Sequence, residues 1–147
     1  DWSVTGVQTC ALPICQPDEN AGDLISNLKL QKLLYYAQGF NLALYSSRLF
    51  QEDIRAWEHG PVVPDAYHAF KEFGANAIPA PEAMDFNIFE PETVELLDEV
   101  YAVYGQFSAW KLRNMTHGES PWKETPINEI ISTQKMQEYF ETQLASD

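Results

Sequence analysis

Polar and apolar positions settle into a clear order from Ser26 onward. Over 26–45, Leu30, Leu33, Leu34, Ala37 and Leu44 recur at helical spacing, and Leu28, Tyr35, Tyr36, Phe40 and Leu42 widen the stripe nearly all round. A helix this apolar belongs at the centre of a core, and Ser26 is its expected N-cap. Gly39 costs such a helix about 1 kcal/mol against alanine, which points to the close approach of a neighbouring backbone.

The helical period is lost over 47–63. Leu49, Phe50 and the run from Ile54 to Trp57 are β-prone or alternating, and predict a small β-hairpin around residues 48–63. Pro64 and Asp65 then open a helix that Gly74 is expected to close. Residues 75–89, with Pro79 and Pro81, read as loop. Pro91 opens a further helix with Val94, Leu97, Val100, Tyr101 and Tyr104 on one face. Ser108 caps another, whose face is Trp110, Leu112 and Met115, and His117 falls at its end, where a positive imidazole suits the helix dipole. Residues 118–130 read as a connector. Ser132 caps a last helix with Met136, Tyr139 and Phe140 on one side. The expected fold is mainly α: a compact, single-domain helical fold with one small hairpin.

The first fifteen residues do not share this pattern. Residues 4–14, VTGVQTCALPI, resemble the translation of a common sequencing-library adapter, and DWS resembles another frame of it. Residues 1–15 are therefore expected to be non-native, with an N-terminally truncated domain over 16–147. A secretory leader is the competing reading, but a basic segment and a long apolar run are missing. Both cysteines, Cys10 and Cys15, fall in or beside this stretch, so the rest of the chain offers no disulfide, thiolate or cysteine nucleophile. No apolar run approaches the roughly 18 residues that cross a membrane. A cytoplasmic protein is expected, with no membrane partner.

Charge narrows the partners. The formal net charge is −13, and −12 without residues 1–15, which carry only Asp1. Affinity for nucleic acid comes largely from neutralising phosphates, so no nucleic-acid partner is expected. Glu82, Asp85, Glu90, Glu92, Glu95, Asp98 and Glu99 crowd one stretch without a base. The plain reading is a solvated face; the sharper one is a surface that steers a basic protein partner.

Candidate chemistry is sparse. His59 and His68, with Glu58 and Asp65, invite a metal or hydrolase reading, but they miss the i, i+4 spacing of helical metal ligands. Asp65 and His68 suit a contact along one helix face. Phosphate-binding glycine motifs and a nucleophile elbow are absent from the sequence. Ser120 fits none of them. What stands out instead is Trp57, Gly60, Pro61, Val62, Val63, Tyr67 and Phe70. Glycine beside proline holds a shape, and exposed Trp or Tyr at such a turn typically anchors interfaces. A turn whose Trp plugs the core is the structural alternative.

Four stretches, in order, carry a family likeness: ISNLKLQKLLYYAQGFNLAL, IRAWEHGPVVPDAYHAFKEFG, SAWKLRNMTHGESPWKE and ISTQKMQEYF. Together they resemble the Panacea antitoxin domain, the family of SocA-like antitoxins and GepA-like phage-associated proteins, from Ile25 to about Phe140. The resemblance attaches to Leu30, Gln31, Lys32, Leu33, Tyr35, Tyr36 and Gln38, to Trp57, Gly60, Pro61, Val62 and Tyr67, and to Pro121 and Trp122. Family members usually carry a further helix ahead of the first motif, where adapter-like residues stand here. The resemblance implies an antitoxin without catalysis or cofactor, which neutralises a cognate protein toxin by direct contact. A proteolytic adaptor that hands the toxin to a cellular protease is the alternative; an uncharacterised hydrolase is a distant third. Lys32, Tyr36, Gln38, Trp57, His59, Gly60, Pro61, Tyr67 and Trp122 are the expected partner-binding residues.

Overall fold

The computed structural model describes residues 26–71 and 90–144. Residues 1–15 with both cysteines, the loop expected over 75–89 and the helix end expected at Gly74 lie outside the described residues.

Helix α1 (Asn27–Tyr45) is the axis of the molecule. Ser26 caps it as expected, its hydroxyl accepting from the Lys29 backbone N–H at 3.3 Å. Every residue from Asn27 to Leu42 except Leu28 and Phe40 is buried, because the other elements surround it. Water is excluded from its polar side chains too, and each buried donor or acceptor then needs a protein partner. Asn27, Gln31, Gln38 and Asn41 form a row along the helix that supplies this. Asn27 Nδ2 donates to the Tyr67 carbonyl at 3.0 Å, and Asn41 Nδ2 to that of Ser47 at 2.9 Å. Gln38 donates to the Phe50 carbonyl at 2.8 Å and accepts from the Leu49 N–H at 2.7 Å.

The hairpin is real but smaller than its expected span. Strands β1 (Arg55–Trp57) and β2 (Gly60–Val62) pair antiparallel, with Trp57 opposite Gly60 across a Glu58–His59 turn. Leu49 and Phe50 stand outside it, pinned by Gln38. The outer edge of β1 bonds residues 128–131: Ala56 N donates to Glu129 O at 3.0 Å, and Ile131 N to Ile54 O at 2.8 Å. Side chains of α1 serve the other edge. Gln31 Oε1 accepts from Val63 N at 2.9 Å, and Lys32 Nζ donates to Pro61 O at 3.2 Å.

Helix α2 (Pro64–Ala69) is short, ending before the expected glycine. Helix α3 (Pro91–Tyr104) buries Leu96, Leu97 and Val100. Helix α4 (Ala109–His117) and helix α6 (Thr133–Glu141) begin at Ser108 and Ser132, each of which accepts a backbone N–H at 3.0 Å. Between them, the expected connector contains one helical turn, α5 (Ser120–Lys123), with Pro121 in its first turn.

Two expectations change. Gly39 admits a side chain rather than a backbone: an added Cβ would collide with Cδ2 and Cε2 of the Phe140 ring, so the glycine sets how closely α6 approaches α1. Trp110 does not join the buried face of α4; it is 59 % exposed, and the Arg113 guanidinium lies 4.4 Å from its ring centre. Leu112 and Thr116 are buried instead. Phe140 packs edge-on to Tyr35, Tyr36 and Phe40, at 4.8–5.9 Å between ring centres. Tyr36 stacks flat on Tyr104 at 3.9 Å. Among the described residues, no helix is long and apolar enough to cross a membrane.

Candidate functional site

The hairpin turn projects beside α2 and forms one wall of a groove of about 520 Å³. Trp57, Glu58, His59 and Val62 come from the hairpin, Tyr67 and Lys71 from α2 and the residues after it, and Ile127 and Asn128 from the segment on the outer edge of β1. Asn27, Leu28 and Gln31 of α1 complete the lining. Trp57 and Tyr67 meet edge to face at 5.1 Å, a geometry that aromatic quadrupoles favour and that fixes both rings. Their partial exposure leaves ring surface to offer a partner.

Three of the sequence-expected residues, Trp57, His59 and Tyr67, are thus brought together at the groove. His59 Nδ1 accepts from Arg113 Nε at 3.3 Å, which ties the turn to α4. His68 is exposed and stacks edge-on with Tyr67, outside the groove lining. Among the described residues no group of three His, Cys, Asp or Glu side chains is placed to hold a metal.

Others lie beneath the surface. Lys32 is fully buried, Tyr36 is 1 % exposed and Gln38 2 %, and Gly60 and Pro61 are buried as well. Internal bonds account for the polarity of Lys32 and Gln38: Lys32 reaches Pro61 beneath the hairpin, whereas Gln38 holds Leu49 and Phe50, away from the groove. Trp122, half-buried, donates its indole N–H to the Trp57 carbonyl at 2.8 Å, so it braces β1 from behind. The His117 imidazole stacks on Trp122 at 4.0 Å and 6°. It ends α4 as expected, but the charged state expected there is corrected. Burial and the Arg113 charge hold it below the usual histidine range, against a backbone hydrogen bond with Glu58.

Two ionisable groups behind the groove were not legible as partners. Burial, with Arg113 nearby, lowers the Lys32 amine to about 7. Burial raises the Glu119 carboxyl to about 7, although Tyr35 and Tyr36 donate to its two oxygens at 3.0 and 2.8 Å and oppose the shift. Both tyrosine hydroxyls are pushed upward by burial and by the same carboxylate, so they stay protonated donors. Glu119 lies 84 residues from Tyr35 in the sequence, and no local pattern joins them.

Fold and groove define a small domain wound round one buried helix, with an aromatic cleft at its hairpin. The chain belongs to the family described as "Antitoxin SocA-like, Panacea domain", which matches residues 30–123. The match includes α1 from Leu30 on, the hairpin and α5, and stops before α6, so ISTQKMQEYF falls outside it. Antitoxin SocA from Caulobacter vibrioides (strain NA1000 / CB15N) is 32 % identical over 109 residues, 67 % of this chain. The aligned part spans 58 % of that protein's own length. No solved structure matches the chain.

Proposed function

We propose that this chain is an antitoxin that neutralises a cognate protein toxin by direct contact, with the groove of Trp57, His59 and Tyr67 as the principal contact surface. Family membership supplies the antitoxin role. The observation that supports the surface is the clustering of these three residues, two aromatic, in one open cleft braced by Trp122 and Arg113. Aromatic anchors of this kind typically contribute 2 kcal/mol or more to an interface. The acids on α3, Glu92, Glu95, Asp98 and Glu99, add a field that speeds encounter with a basic toxin without supplying most of the affinity.

The test is co-expression with the protein encoded beside this one. The neighbour alone arrests growth, and this chain restores growth while the two co-purify. Tyr67→Ala, whose ring is partly exposed, weakens binding at least tenfold while the melting temperature moves little. Unchanged affinity in both Tyr67→Ala and His59→Ala removes the groove from the proposal. Rescue accompanied by disappearance of the neighbour's protein replaces occlusion with delivery to a protease.

A further inference from the structure

The underside of the groove contains a lysine with nowhere to put a charge. Lys32 is 0 % exposed and points from α1 at the hairpin turn. Its amine has the Pro61 carbonyl at 3.2 Å, a long bond for an ammonium. Gly60 sits against it at φ +113°, a conformation that favours glycine. A Cβ there would meet Lys32 Cε at 2.7 Å and Thr116 Oγ1 at 2.9 Å. Lysine, threonine and turn therefore pack with no slack.

We infer that Lys32 is a positioning residue for the groove: its amine seats Gly60 and Pro61 at the start of β2, and with them the Glu58–His59 turn and Trp57 opposite, and gain of a proton there unseats the turn. The inference rests on reading the groove as the partner surface, and adds its regulation by mild acid. The charges felt at the amine are those of Arg113 and His117 on α4; Glu58 and His59 of the turn meet that pair, Glu58 through a backbone hydrogen bond to His117 and His59 through Arg113. Arg113 opposes a second positive charge, and Glu119 is engaged by two tyrosine hydroxyls. A neutral amine with one carbonyl partner carries no charge to desolvate, whereas a buried ammonium requires several acceptors or water. Water reaches it when the turn lifts. Burial places the transition at about 7. The groove is therefore seated above neutrality and loosened below it.

The experiment is a pH titration of the full chain by NMR from 5 to 9, following the Lys32 side-chain Cε and Nζ signals with the Gly60 and Trp57 backbone amides. Lys32 is expected to titrate near 7, and both amides to move with the same midpoint. In Lys32→Met the amides lose that step while the spectrum stays dispersed. In His59→Gln and His117→Gln the step persists, so the imidazoles are not its source, and these variants decide the matter should Lys32→Met fail to fold. Amides that ignore the Lys32 titration, or a step that vanishes with either histidine, overturn the inference. The titration needs no toxin, so its failure is separate from failure of the Tyr67→Ala binding test.

Discussion

At the scale of single residues, most of the information lies in polar side chains at places that need none. Lys32 and Gln38 stand out in the sequence because an apolar, central helix has no use for a charge or an amide unless something answers it. That much was legible. Their partners were not, because Pro61, Leu49 and Phe50 belong to segments whose position depends on the whole fold. Lys32 also carries a sign that can be checked. Its pKa falls from 10.5 unfolded to about 7 folded, so the unfolded chain holds the extra proton between those values. The resulting penalty is fully present below 7 and fades as pH rises toward 10.5. Lys32→Met should thus raise the melting temperature more at pH 6 than at pH 10, by several degrees, as read by thermal denaturation. Gly39 gives a second test. Gly39→Ala gains helix propensity but drives a methyl group into Phe140, and overpacking of about 1–3 kcal/mol should outweigh the gain. A lower melting temperature with the helical spectrum retained is the expected result.

At the scale of elements, the periods and caps in the sequence place the helices well. Ser26, Ser108 and Ser132 each cap the helix expected of them, since a cap acts within three residues and leaves a local trace. Trp110 misled because spacing assigns a residue to a face without saying whether that face is covered. The connector hid α5 for a related reason: a single turn is too short to show a period. What no periodicity displays is the way α1 serves as a side-chain strand to β2 and a clamp to 47–50. Gln38→Leu keeps the approximate volume and deletes the clamp. It leaves Leu49 N–H and Phe50 O without their partner, at about 1–3 kcal/mol for each group that stays buried. Hydrogen exchange at Leu49 and Phe50 should quicken well before exchange in α1, and equal rates in variant and wild type would remove the clamp.

For the whole molecule, the candidate site was partly legible. Trp57, His59 and Tyr67 were found because turn and helix hold them within a dozen residues, whereas Gln31, Arg113 and Glu119 meet the hairpin or α1 from other elements. The two buried ionisable groups also act together on global stability. Glu119 rises from 4.5 to about 7 on folding, so the native state binds the extra proton over that window and stability declines as pH rises through it. Lys32 contributes the opposite slope above 7. Their sum is a trough near neutrality, on which the repulsion of a −13 chain is superimposed. Denaturant titrations of Lys32→Met/Glu119→Gln from pH 4 to 10 should show the trough filled. A trough of undiminished depth would locate its origin in other groups.

The encirclement of α1 has a consequence for the order in which the protein is made. Synthesis runs from the amino end, so the most buried helix leaves the ribosome before α6, whose Phe140 fills the space above Gly39. At about 5–20 residues per second, α1 waits several seconds for its cover. During that interval the newborn chain displays Leu30, Leu33, Leu34 and both tyrosines to chaperones and proteases alike, and the residues that close the outer edge of β1 are still unmade. The amount of folded protein in a cell is then set by a race that the finished structure no longer shows.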